Sequence, residues 1–124
     1  MKKNKMKTRE QRKKRIKARI KESGNLVRIA VFKSRNHIYG QVIDDRKGET
    51  VASQNDINIS KKELAEEKSK LKGKERIAFI TGKMIAKKIK EKNIEKLVFD
   101  RGGFRYHGRI KAFAEGVREG GVKI

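Results

Sequence analysis

The densest chemistry in the sequence lies in the decapeptide Asp100-Arg101-Gly102-Gly103-Phe104-Arg105-Tyr106-His107-Gly108-Arg109. Arg101, Arg105 and Arg109 supply forked donors that match phosphate oxygens or the edge of guanine. Phe104, Tyr106 and His107 are flat groups on which an unstacked base can lie. Gly102, Gly103 and Gly108 permit positive φ and a close approach of backbone to a ligand. The apolar run Leu97-Val98-Phe99 precedes the decapeptide and a helix-periodic segment follows it. Open sheets place ligands at such strand ends, and the following helix offers free N–H groups to an anion. The pattern reads as an RNA-contacting loop. The competing reading is a connector whose rings fold back on the core, and Phe104 suits either.

A second cluster, Lys33-Ser34-Arg35-Asn36-His37 with Tyr39, gathers cations, hydrogen-bonding side chains and rings on one short turn. Taken alone it is an ordinary polar turn; beside the decapeptide it is a second candidate contact. A third lies at the N-terminus, where residues 1–23 hold twelve basic and two acidic side chains, nearly half of a net charge of +21 in one fifth of the chain. Arg9, Arg12, Lys13, Lys14, Arg15, Lys17, Arg19 and Lys21 are the cations of this arm that phosphates would neutralise. Such density attracts nucleic acid whether or not binding is specific. An anionic lipid surface fits less well, because the apolar face would be little more than Ile16 and Ile20.

Other chemistries find little support. With no cysteine, disulfides and thiolate metal sites are excluded, and His37 and His107 have no third ligand spaced to join them. Gly73 and Gly82 lack the pattern of a phosphate-binding loop. No cofactor and no small-molecule substrate are therefore expected. A ribonuclease-H-like nuclease would cluster carboxylates around two metals. Asp44, Asp45 and Asp100 are the only acids expected at strand ends, and the first strand has none. Asp44-Asp45 reads more simply as a turn, and Asp100 as a partner of Arg101 or a cap for nearby N–H groups. A histone-like DNA architectural protein also needs a basic arm, but no dimerising core or minor-groove wedge is evident.

The elements that must hold these clusters can be read from periodicity. The 124 residues suit one compact domain, residues 24–124, preceded by the arm 1–23, disordered or helical on binding. The arm's aliphatic residues, Met1, Met6, Ile16 and Ile20, are too few for it to fold alone. Thr8 and Gln11 nevertheless form a capping-box pattern, and Ser23-Gly24 a stop. Residues 25–33, apolar on both faces except at Arg28, read as an inner strand, with Asn25 and Leu26 at its start. Residues 37–44 alternate, with Ile38, Gly40 and Val42 inward, and residues 49–54 read as a third strand, giving an antiparallel meander. Residues 55–73 are weakly patterned, although Ser60 and Glu63 form a second capping box and Leu64, Ala65 and Leu71 could anchor a helix. An apolar stripe over residues 75–92 predicts a helix stopped at Asn93. Leu97-Val98-Phe99 reads as a strand covered on both faces, and helix-then-strand implies a crossover to a parallel neighbour. Ile110, Phe113, Ala114 and Val117 mark the last helix, closed by Gly120-Gly121. The fold class is mixed α/β: a three-stranded antiparallel meander extended by a parallel strand, with helices mainly on one face. No run is long and apolar enough to span a bilayer, and no signal-peptide pattern follows the basic N-terminus, so no membrane partner is expected.

The stretches running from Arg28 to Asp45 and from Val98 to Ala112, with the ending Arg118-Glu119-Gly120-Gly121, resemble the signatures of bacterial large-subunit ribosomal protein L-eighteen. The likeness spans residues 8–124 and is weakest over 55–73. The family usually has proline where Val27 stands and often tyrosine where Phe104 stands; neither change removes a cation or a ring. The resemblance implies a non-enzymatic, cytoplasmic protein that binds 5S rRNA and helps attach it to 23S rRNA in the central protuberance, beside neighbouring large-subunit proteins. On matching positions its RNA contacts would fall on the arm, on the first hairpin from Lys33 to Tyr39, and on the loop from Arg101 to Arg109. Arg28 joins these candidates.

Overall fold

The protein is described by a computed structural model covering residues 8–24, 27–57, 59–67 and 70–124. The expectations at Met1, Met6, Asn25 and Leu26 lie outside the described residues. The sequence signals at the first helix appear as bonds. Helix α1 (Arg9–Ser23) opens with a full capping box, Thr8 Oγ1 accepting from Gln11 N and Gln11 Oε1 accepting from Thr8 N. It closes at Gly24 in the left-handed conformation.

Strands β1 (Val27–Lys33), β2 (Ile38–Asp44) and β3 (Glu49–Asn55) form the expected meander. Ser60 caps the short helix α2 (Lys61–Glu66), which buries none of its residues, as its sparse apolar pattern implies. Helix α3 (Gly73–Glu91) starts two residues before the apolar stripe, because polar residues complete its first turn. Asn93, at φ 56°, takes the left-handed turn that leads out of it. Strand β4 (Val98–Asp100) then pairs parallel to β1, giving the order β3-β2-β1-β4. Val98 and Phe99 are only half-buried, which corrects the expectation of a strand covered on both faces: β4 is an edge. Helix α4 (Gly108–Glu119) completes the chain.

Alternation along β1 sends Ile29 and Val31 to one face, where they meet Ile38 and Val42 of β2, Ile85 and Ile89 of α3, and Phe113 and Val117 of α4. All eight side chains are fully buried or nearly so. Removing one such side chain from water stabilises the fold by about 1.5–3 kcal/mol. The helices sit unusually close: a Cβ on Gly82 would lie 2.2 Å from the Phe113 carbonyl oxygen, and one on Gly116 2.1 Å from that of Phe79. Arg28, Ala30, Val98 and Asp100 face the other way, and α1 covers that side beside β4, burying Ile16 and Ile20. Away from α1 the sheet is more open, and Phe32 stacks on half-exposed Tyr39 with ring centroids 5.1 Å apart.

Candidate nucleic-acid interface

The loop after β4 is set by Asp100. Its buried carboxylate accepts from Gly102 N at 2.9 Å, as a cap should, but its cationic partner is Arg28 at 2.6 Å, which corrects the expected pairing with Arg101. Arg28 also donates through Nε to Asp45 at 3.1 Å. Burial is the largest single influence on Arg28 and opposes its charge. Hydrogen bonds and attraction to Asp45 and Asp100 together outweigh it and hold the guanidinium above its ordinary pKa. Arg28 is thus a clamp between three strand ends.

Gly102 and Gly103, at φ 62° and 83°, then turn the loop back under α1. A side chain at Gly103 would meet the Arg9 carbonyl oxygen at 2.6 Å. The two glycine carbonyls point into α1, accepting from Arg9 Nε at 3.2 Å and Arg12 Nε at 2.8 Å. Arg9 also lies over the Phe104 ring at 4.1 Å, with Lys33 Nζ 5.3 Å from the same ring. Phe104 therefore folds back, packing on the core and under two cations, rather than offering its face to a base.

The first hairpin is tied to the same loop. Arg109, in the first turn of α4, donates to Ser34 O at 2.9 Å and more loosely to His37 O at 3.5 Å. Burial, then repulsion from Arg109, holds the Lys33 amine below its usual pKa. His37 Nδ1 lies 3.0 Å from Asp56 Oδ1, while the other Asp56 oxygen accepts from Ile38 N at 3.0 Å. Lys74 braces the turn by donating to Arg35 O at 2.7 Å.

The three candidate regions therefore form one continuous surface. Lys14, Arg15, Lys17, Arg19 and Lys21 of α1 are exposed and Lys13 is half-buried. Ser34, Arg35, Asn36, His37 and Tyr39 are exposed on the hairpin, as are Arg105, Tyr106 and His107 on the loop. Arg101, Gly108 and Arg109 are half-buried. Arg28, Gly102 and Gly103 are turned inward to hold the parts together. Sequence reasoning missed Arg118, whose guanidinium donates to Tyr106 Oη at 2.7 Å, and missed Lys74 and Asp56 as props of the hairpin. No local pattern marks these three, since each acts on a segment at least a dozen residues away.

Comparison of the sequence with known proteins identifies the family. The family described as ribosomal L18 of archaea, bacteria, mitochondria and chloroplast matches residues 3–124. The chain belongs to the ribosomal L18 family. It is 46% identical over 113 residues to large ribosomal subunit protein uL18 of Desulforapulum autotrophicum, covering 91% of this chain and 89% of that one. Similarity to uL18 of Petrotoga mobilis is 44% over 116 residues, covering 94% and 92%. That of Thermus thermophilus is 44% identical over 116 residues, covering 93% and 94%. Members of the L18 family are ribosomal structural proteins and not enzymes, so the nuclease and DNA-architectural readings give way. The acids behind the nuclease alternative have other work: Asp44 accepts from Arg46 N at 3.0 Å in the β2–β3 turn, and Asp45 and Asp100 hold Arg28.

Proposed function

We propose that this L18-family chain is a structural component of the large ribosomal subunit, hence cytoplasmic in a bacterium, that binds 5S rRNA and helps attach it to 23S rRNA in the central protuberance, beside neighbouring large-subunit proteins. The observation that carries the reading is the joining of α1, the first hairpin and the 101–109 loop into one cationic face, through Arg9 and Arg12 on the glycine carbonyls and Arg109 on the hairpin. The arm, residues 1–23, neutralises phosphates without regard to sequence, with α1 already capped and docked on the sheet. Its contribution falls steeply with salt. The hairpin and loop, presented by the domain of residues 24–124, read the shape of a folded RNA. Exposed bases stack on Tyr106, His107 and Tyr39, each stacked base contributing about 1–3 kcal/mol.

Two variants and one competition test this. Deleting residues 1–19 should flatten the salt dependence of RNA binding and leave a folded domain. Replacing Tyr106 and His107 by alanine should reduce the preference for 5S rRNA over a random hairpin of equal length while changing the salt slope little. An unchanged preference refutes the role given to the loop. Competition at moderate salt should favour 5S rRNA over duplex DNA; equal competition refutes the RNA reading.

A further inference from the structure

The free edge of β4 runs between α1 on one face of the sheet and α4 on the other, and a groove opens along it. Its larger cavity, about 370 Å³, has apolar walls from Ile16, Ile20, Val98 and Phe99. Arg19, Arg101, Arg118 and Tyr106 complete the lining. A smaller cleft of about 80 Å³ shares Ile16, Arg19 and Arg101 with it and adds Arg12 and Arg15. Five arginines thus converge on one groove, and among the described residues no carboxylate lines either cavity. Among the described residues no ion pair uses Arg15, Arg19 or Arg101.

We infer that this groove takes a single nucleotide splayed out of the bound RNA, with its base in the larger cavity and its phosphate in the smaller cleft. The inference rests on the RNA-binding reading above and goes beyond it, because four apolar residues and Arg118 now belong to the site. The larger volume lies at the small end of the range for small-molecule pockets, roughly 300–1,000 Å³. The smaller cleft admits little more than a phosphate group. Apolar walls suit the faces of a base, and planar guanidiniums can both stack on it and grip phosphate oxygens. Tyr106 is held as a fixed wall, since Arg118 donates to its hydroxyl at 2.7 Å and to Ile124 O at 3.3 Å. The alternative occupant is an acidic peptide adding a strand to the β4 edge. Three residues of edge give such a strand few backbone bonds, while they leave the compact, arginine-ringed cavity unexplained.

The test uses the full chain and two readouts. In the first, the methyl resonances of Ile16, Ile20 and Val98 are followed during titration with adenosine 5′-monophosphate, inorganic phosphate or a polyglutamate peptide. The nucleotide should shift all three, phosphate at most that of Ile16, which also lines the smaller cleft, and the Arg19→Gln/Arg101→Gln double variant should lose the response. In the second, 5S rRNA affinity of that double variant is compared with Lys87→Gln/Lys111→Gln, which removes equal charge from exposed positions away from the groove. The groove variant should bind more weakly than this control by roughly 5- to 150-fold, the value of one stacked base. Equal losses in the two variants, with native preference for 5S rRNA intact, overturn the groove assignment and leave the RNA reading standing. Methyl shifts with the peptide but not the nucleotide also overturn it. A native chain with no preference for 5S rRNA overturns the RNA reading itself, and this inference with it.

Discussion

Arg109 is the residue on which the continuity of the binding face turns, and its substitution separates a clip from a contact. Its guanidinium spans α4 and the β1–β2 turn, with one good bond to Ser34 O at 2.9 Å and one marginal bond to His37 O at 3.5 Å. A hydrogen bond from a charged donor contributes about 1.5–3 kcal/mol when desolvated. Arg109 is half-exposed, so screening brings the bond to about 1 kcal/mol, and relief of the repulsion on Lys33 offsets part of that. Arg109→Ala should therefore lower urea-unfolding stability by about 1 kcal/mol, about 3–6 °C in Tm for a chain of this size. RNA affinity measured across a salt series should fall more than tenfold, while the salt slope drops by no more than about one unit. The decisive comparison is Arg109→Lys. An ammonium keeps the charge but cannot span two carbonyls as the fork does. A clip predicts that Arg109→Lys binds nearly as poorly as Arg109→Ala; a simple phosphate contact predicts near-native binding. Native affinity and native stability in Arg109→Lys refute the reasoning.

Gly82→Ala forces a methyl to 2.2 Å from the Phe113 carbonyl oxygen, so α3 and α4 must separate. Thermal unfolding should show a loss of about 1–3 kcal/mol, the usual cost of overpacking, and no loss means that the helix contact is looser than described. Arg28→Met strands the buried Asp100 carboxylate and should cost about 3–5 kcal/mol, with the double variant Arg28→Met/Asp100→Asn recovering much of it. If the double variant is as unstable as the single, the pair is not the reason. Folding penalises the Lys33 ammonium, since burial and then Arg109 lower its pKa. That penalty is full below the folded pKa and disappears as pH rises through it towards the unfolded value of about 10.4. Lys33→Met should thus be more stable than native at pH 7, lose that advantage near pH 10.5, and bind 5S rRNA more weakly. An advantage independent of pH contradicts the assigned cause.

How much of this was legible in the sequence depends on the range over which each feature is decided. The alternation of Ile38, Gly40 and Val42 and the stripe Ile110, Phe113, Ala114, Val117 report which face of an element is buried, and the structure uses those faces. Both capping patterns are local; the first forms in full, and of the second only the Ser60 half forms, its Oγ accepting from Glu63 N. The misreadings are long-range. Arg28 looked like a lone cation on an apolar strand, whereas its partners arrive from positions 45 and 100. Phe104 could not be assigned because Arg9, which lies on its ring, is on another element. The docking of α1 was equally hidden. Two isoleucines are a narrow apolar stripe, and the arginine-to-carbonyl bonds that supplement it leave no mark in composition.

Those bonds also explain how so basic a chain brings its cations together without cancelling them. Arg9, Arg12 and Arg109 fasten the three parts of the face by donating to backbone carbonyls, and among the described residues Arg9 and Arg109 enter no ion pair. A carbonyl satisfies the guanidinium's hydrogen-bonding demand while leaving its full charge in the local field, so the same residue can hold the fold and still attract a phosphate. Arg28, on the opposite logic, sits between two acids and adds nothing net to that field. Substituting a carbonyl-bound arginine should therefore lower both stability and the salt slope of RNA binding. Removing Arg28 together with Asp100 should leave the slope nearly unchanged. A net charge of +21 thus serves structure and binding at once wherever the internal acceptor is neutral.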